Sequence, residues 1–261
     1  MKNKLVYMFV PFKVSPKTLF RNFSSLLQYY SDLSTLRKQQ KKSSSIFPMG
    51  KPYPCLADRY SESGTARGQY FHQDLLVAQK IFANNPQIHV DIGSRVDGFI
   101  AHVASFREIV VFDIREFPQN ITNIKPLKID LMEEVKEELV DYCDSISCLH
   151  ALEHFGLGRY GDPVDFEGFL KGFENINKIL RDGGKFYLSV PIGPQRIEFN
   201  AHRIFSMEYL LLLVSNKYKI DSFSYVDDNE DYFNNIDLSD EGIAKNFGCN
   251  YGCGILELTK I

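Results

Sequence analysis

The chain lacks tryptophan, CxxC pairs, a basic excess and any apolar run long enough to cross a bilayer, and each shortage excludes something. Its five cysteines, Cys55, Cys143, Cys148, Cys249 and Cys253, are odd in number and scattered. That is no disulfide framework, and it fits a reducing compartment. Cys249 and Cys253 stand four apart, but no second pair completes a zinc site. With 30 Lys and Arg against 33 Asp and Glu, the net charge is −3. Affinity for nucleic-acid phosphate comes mostly from Lys and Arg, so a nucleic-acid partner is not expected. The run at residues 5–12 (LVYMFVPF) is broken by Pro11 and has no small-residue cleavage site behind it. It reads as a strand or docking segment, without an integral membrane segment, and the expected location is cytoplasmic.

What is present is ample for a core: 44% of the 261 residues are hydrophobic and 13% aromatic, all of them Tyr and Phe. Residues 1–65 differ from the rest and are expected to be an N-terminal extension. Apolar residues near helical spacing predict one or two helices over 15–36. A basic linker (KQQKKSSS, 38–45) and a proline-rich extended stretch at 47–54 would follow. The second region, 66–261, opens with a helix whose apolar face would carry Leu75, Leu76, Ala78, Ile81 and Phe82, ending at Asn84-Asn85-Pro86.

From residue 88 strands and helices alternate. Strands are expected at 88–92, 109–114, 127–129, 145–149, 185–190, 219–226 and 255–259. Helices are expected at 99–106, 133–139, 166–180 and 206–214, with the Arg-Asp-Gly-Gly of 181–184 as a helix stop and 227–241 as an acidic loop. This rhythm predicts an α/β fold, a mostly parallel sheet with helices on both faces.

The first strand runs into Asp91-Ile92-Gly93-Ser94-Arg95-Val96-Asp97-Gly98, a turn suited to close approach of a ligand. A P-loop is excluded because Phe99-Ile100 stand where its Lys-Ser/Thr would be. A dinucleotide turn wants GxGxxG, and Arg95 occupies the middle position. S-adenosylmethionine is the third class. Asp113, at the end of the second strand, suits ribose hydroxyls in either of the last two classes. Asp130 after the third strand suits an adenine amino group, with Leu131 against the ring.

The pieces VDIGSRVDG (90–98), VVFDI (110–114), KIDLM (128–132), SISCLHALEH (145–154) and LRDGGKFYLSVP (180–191) together resemble the class I S-adenosylmethionine-dependent methyltransferases. The likeness spans about residues 70–226, with ILELT (255–259) similar to the last, antiparallel strand. It implies a Rossmann-like fold with a seven-stranded sheet and S-adenosyl-L-methionine as cofactor. By the resemblance, Asp91 and Gly93, with Ser94 and Arg95 in the same turn, line the methionine end. Asp113 and Ile114 take the ribose, Asp130 and Leu131 the adenine, and Cys148 to His150 lie beside the sulfonium. Family members usually carry glycine where Arg95 stands. Within the superfamily the chain is similar to a small group associated with bacterial surface-polysaccharide gene clusters, which implies O-methylation of a small carbohydrate-related precursor.

A hydroxyl acceptor must lose a proton, which favours a nearby histidine base. His154 and Glu153 follow strand four, and His202 follows strand five; these three are the expected catalytic residues. His150, Glu153 and His154 also have i, i+3, i+4 spacing, but no metal is expected. Arg159, Arg196 and Arg203 would suit a phosphate-bearing or carboxylated small molecule. Tyr70 to Gln73 would contribute to a lid. No (D/N/S)PP(Y/F) motif follows strand four, and Pro54-Cys55 lies before the glycine turn, so base-methylating subclasses are set aside. The alternatives are an N- or natural-product methyltransferase, a binding-only relative and an NAD-dependent oxidoreductase. Oligomeric state is not readable from the sequence.

Overall fold

A computed structural model describes residues 16–44, 47–61, 63–117 and 121–261. The apolar run at 5–12 lies outside the described residues. The chain divides into two compact units after Thr65. In the first, a single helix, α1 (Pro16–Gln40), runs past the expected end and takes in the start of the basic linker. A 3-10 turn at Asp58–Tyr60 is tied back to it by Arg59 and Asp32, 2.5 Å apart. Among the described residues, no helix is long and apolar enough to cross a membrane.

The second unit begins with α2 (Gln69–Asn84), closed by Asn85 in the left-handed conformation. Then follow β1 (His89–Ile92), a short π turn (Val96–Ile100), α3 (Ala101–Ala104), β2 (Ile109–Asp113), β3 (Ile124–Lys128) and β4 (Cys143–Leu149). After these come α4 (Gly168–Ile179), β5 (Leu180–Ile192), a hairpin of β6 (Arg196–Glu198) and β7 (His202–Ile204), and α5 (Met207–Ser215). The chain closes with β8 (Tyr218–Val226), β9 (Tyr232–Phe233), α6 (Asp240–Ala244) and β10 (Gly252–Lys260). Among the described residues the main sheet has eight strands, in the order β3-β2-β1-β4-β5-β10-β8-β9. The first five in that row pair in parallel, and β10 is antiparallel to both β5 and β8. The eighth strand, one more than expected, is β9, which forms inside the segment read as an acidic loop.

Each face of the sheet buries its own helices, as a two-sided parallel sheet requires. Phe173, Ile176 and Ile179 of α4 and Met207, Leu210 and Val214 of α5 pack on one face. Val77, Ala78 and Ile81 of α2 and Val103 of α3 pack on the other.

Three local expectations fail for identifiable reasons. Residues 133–139 are not a helix; a 3-10 turn at Glu137–Leu139 is all that forms. Asn175 of α4 donates to the carbonyls of Leu131 (2.8 Å) and Glu133 (2.6 Å), taking acceptors that a helix starting there would use. The 181–184 turn is not a separate stop, because Leu180 already pairs with Cys143 and the segment bulges within β5, with Gly183 at φ 74°. The face of α2 is also rotated from expectation. Leu75 and Phe82 are exposed, whereas Gln73 and Asp74 are buried.

Candidate active site

Chain order reverses across β1, whose neighbours are β2 and β4. At such a switch point the loops leaving the strand ends part and open a crevice. A cavity of about 600 Å³ lies there, within the range of small-molecule sites. Its lining comes from the turn after β1, the ends of β2 and β4, the loop after β3, and α2, which contributes Tyr70, Gln73 and Asp74.

The turn after β1 rests on a buried polar chain. Gly93 has φ 72°, a conformation that glycine adopts without strain. Ser94 donates to Asp91 from its backbone N–H (3.1 Å) and its hydroxyl (2.9 Å), and the Ser147 hydroxyl donates to the same carboxylate at 2.6 Å. The Ser147 proton is thereby committed, so His89 Nε2–H donates to Ser147 Oγ (3.1 Å) and Nδ1 accepts from Ser145 (2.8 Å). Burial, with Arg107 nearby, lowers His89 to about 3, so the ring is neutral. Burial raises Asp91 to about 7 against the pull of its serine hydrogen bonds. Asp91 is fully buried and lies beneath the cavity, whereas Gly93, Ser94 and Arg95 line it. Arg95 needs no glycine-like backbone: its φ is −74° and ψ 139°, and its exposed guanidinium pairs with Asp97 at 2.7 Å.

At the end of the neighbouring strand β2, Asp113 is gripped by Arg115, whose Nε (2.8 Å) and Nη2 (2.5 Å) each donate to one carboxylate oxygen. The Arg115 guanidinium stacks 4.7 Å over Tyr160, a residue from the loop after β4. Ile114, Asp130 and Leu131 also line the cavity, and Asp130 accepts the Met132 N–H at 2.9 Å. Cys148 is buried outside the lining.

Histidines gather at the other end. His150 sits at φ 51°, in the left-handed region that bulky residues rarely adopt. Its Nδ1 is 2.9 Å from Glu153 Oε1, with both side chains buried. His150 Nε2 and Glu153 Oε2 have no hydrogen-bond partner among the described residues. Burial works against the imidazolium, but Cys253 and Glu153 outweigh it and raise His150 above an ordinary histidine. Glu153 is correspondingly lowered: burial pushes it up, and the adjacent His150 more than reverses that.

His154 is the contrasting case. Its Nδ1 stands 2.7 Å from the Ala201 carbonyl, which can only accept. The proton is therefore on Nδ1, and Nε2 carries a lone pair. Burial lowers this histidine despite Glu153 at 3.7 Å, so it is neutral at pH 7. His202 lines the cavity with its Nε2 3.2 Å from Glu198 and its ring 4.9 Å from Tyr251. The structure thus brings His150, Glu153, His154 and His202 to one cavity. Among the described residues, no group of three or more His, Cys, Asp or Glu is arranged to hold a metal ion.

The arginines divide. Arg159 lines the mouth, with one N–H on the Ala201 carbonyl at 2.9 Å. Arg196 is occupied by Glu198 at 2.8 Å. Arg203 is not an acceptor-binding residue: it is 4% exposed and spends its donors on the carbonyls of Phe155 (2.6 Å) and Phe166 (3.0 Å). Sequence reasoning missed Asp74, Arg115 and Tyr251 in the lining. For Asp74 a signal existed, because positions 74, 77, 78 and 81 share one helical face and the last three are buried apolar residues.

No curated protein matches the chain. Solved structures do. The 1,6-didemethyltoxoflavin-N1-methyltransferase of Burkholderia thailandensis, solved with 1,6-didemethyltoxoflavin and S-adenosylhomocysteine, is 14% identical over 72% of this chain and 78% of its own, with a TM-score of 0.50. The [4+2]-cyclase SpnF is 12% identical over 76% of this chain and 85% of its own, at 0.51. These likenesses show the fold, the Rossmann-like arrangement of class I methyltransferases. A family model described as "Caenorhabditis protein of unknown function, DUF268" matches residues 90–248, more than half of the sequence, and the chain belongs to that family.

Proposed function

We propose that the chain is an S-adenosylmethionine-dependent methyltransferase acting on an oxygen of a small acceptor. The observation that carries this reading is the ordered cavity: carboxylates at the ends of β2 and β3 on one wall, and a neutral histidine with a free ring nitrogen at the other end. The residues fit the cofactor chemically. Asp113, with Arg115 donating twice to Oδ1 and once to Oδ2, keeps an acceptor position on Oδ2 for a ribose hydroxyl; Asp130 and Leu131 offer an acid and an apolar face to adenine, and Gly93 to Arg95 a close-approach turn to the amino-acid part. When bound, the cofactor supplies a methyl group on a positively charged sulfur. Support also comes from the sequence motifs and from the toxoflavin enzyme, whose structure holds S-adenosylhomocysteine. A fold does not by itself give an activity, and SpnF, a cyclase, has this one too.

In this reading His154 is the general base. Ala201 fixes its tautomer, and burial keeps Nε2 unprotonated and able to take the acceptor's proton. Glu153 orients His150, and His202 contacts the acceptor. Arg159 at the mouth suits an anionic or sugar-linked molecule, and the surface-polysaccharide context and cytoplasmic location rest on the sequence alone. Calorimetric titration with S-adenosylmethionine, S-adenosylhomocysteine and NAD tests the cofactor. Binding of the first two with none of NAD is expected, and failure of both would overturn the reading. A screen of nucleotide-sugars with labelled methyl donor then tests transfer. His154→Asn should abolish it while leaving cofactor affinity intact; cofactor binding with no turnover on any acceptor would favour a binding-only protein.

A further inference from the structure

Asp74 is a buried carboxylate with no ion-pair contact among the described residues, although His102 and His150 lie near enough to favour its charge. It comes from the middle of α2, is 8% exposed and lines the cavity. One oxygen, Oδ1, accepts from the Gln73 side chain at 2.9 Å. No described residue donates to Oδ2, and no described cationic side chain lies within ion-pair distance of either oxygen. Oδ2 faces the turn after β1: a Cβ built on Gly98 would stand 3.1 Å from it. Taking a carboxylate out of water without a partner is costly, so such groups are normally paired. Burial accordingly raises this one above the usual carboxylate range.

Asp91 does not serve the same purpose. It lies below the floor, and its oxygens are taken by Ser94 and Ser147. Asp113, at the end of β2, is neutralised by Arg115 at 2.5 Å. Asp97 of the turn itself is exposed and already paired with Arg95 at 2.7 Å, so Asp74 is the carboxylate on the glycine-turn side of the cavity that is both buried and without an ion pair. We infer that Asp74 binds the α-ammonium group of the cofactor's amino-acid moiety, an assignment that rests on the cofactor reading above. Gln73 holds the carboxylate in place from its own buried position, and its Oε1 accepts from Ser189 on β5, so α2 is fixed to the sheet at this point.

The test is a comparison of ligands on wild type and Asp74→Asn by calorimetry. S-adenosylhomocysteine carries the ammonium; 5′-methylthioadenosine keeps the adenosine and lacks the whole amino-acid part. Loss of a buried charged partner should weaken S-adenosylhomocysteine by about 30-fold or more in the variant and leave methylthioadenosine within about twofold. A deamino analogue of S-adenosylhomocysteine should bind wild type as weakly as the variant binds the parent compound, a measurement that needs no variant to fold. Equal affinity of wild type for parent and deamino analogue, or equal losses for both ligands in Asp74→Asn, overturns the assignment while leaving the cofactor reading intact. If wild type binds neither adenosine compound, the cofactor reading falls and this assignment with it.

Discussion

Arg203→Met should unfold the protein far more easily, because this arginine ties together the loop that carries the histidines. Its guanidinium reaches three carbonyls: Phe155 at 2.6 Å, Phe166 at 3.0 Å and, at a weak 3.4 Å, Glu153. It also lies 4.8 Å over the Phe169 ring. A hydrogen bond from a charged donor contributes about 1.5–3 kcal/mol, and two good ones are lost. The stacking adds about 0.5–2 kcal/mol. Against this, methionine fills much of the same volume and relieves the cost of burying a guanidinium. The net loss should be about 3–4 kcal/mol, most of it from two carbonyls left without donors. Arg203→Lys should fall between, since one ammonium cannot span both carbonyls. Urea denaturation reads the difference directly: the midpoint should fall with an unchanged slope. If Arg203→Met stays within about 1 kcal/mol of wild type, the structural role is refuted and the arginine returns to the acceptor side as a candidate anion ligand.

Further outcomes follow from the buried groups. Glu153→Gln should destabilise the protein in a pH-dependent way. His150 is raised, so its contribution is complete below the unfolded histidine value of about 6.5 and is lost as pH rises through the folded one. Glu153 is lowered, so its contribution is present above about 4.3 and is lost as pH falls through its folded value. The gap between wild type and variant should therefore be widest at about pH 5–6 and narrow towards alkaline pH. A gap that does not vary with pH in thermal melts would count against the ion pair. Ser147→Ala removes the link between His89 and Asp91 and should cost about 1–3 kcal/mol in denaturant, with a neutral result refuting the relay. Phe173→Ala, fully buried among Phe186 and Tyr218, should cost about 3–5 kcal/mol and leave S-adenosylhomocysteine affinity unchanged, because the ring packs in the α4 layer away from the cavity. A matching loss of affinity would show that α4 packing and the cavity are coupled.

What could be read from the sequence was what neighbouring residues decide among themselves. β1, β2 and β4 are short apolar runs that end in Asp91-Ile92-Gly93, Asp113 and Leu149-His150, and a buried parallel strand needs little more than that to be recognised. The acids and the glycine after those runs fall at the strand ends by spacing alone, so Gly93, Asp113 and Asp130 could be named before any contact was known. What could not be read depends on partners far along the chain. The charged run at 133–139 has helical composition, yet Asn175, 42 residues on from Glu133, takes its carbonyl. Arg203 looks like a surface cation until Phe155 and Phe166 close over it. Asp91 looks like a ligand-facing acid until Ser147, 56 residues away, fills one of its lone pairs.

The same distinction separates the two ends of the cavity. The wall at Asp113 and Asp130 is assembled from strand ends of one continuous sheet, so its order follows the order of the sequence. The histidine end is assembled from the β4 loop, the β6–β7 hairpin and the turn before β10, joined by His154 to Ala201 and His202 to Tyr251. Side chains from three such loops have no common periodicity, and their roles depend on contacts such as the carbonyl that fixes the His154 tautomer. A spacing argument can therefore gather these histidines as candidates but cannot divide them. The contacts do divide them: His150 is held by Glu153 in a charged pair, while His154 is left neutral with Nε2 free. A base has to be unprotonated to act, so methyl transfer to oxygen, if this cavity performs it, should depend on His154 and retain activity when His150 is made asparagine. Loss of turnover in His150→Asn with His154→Asn still active would reverse the two roles.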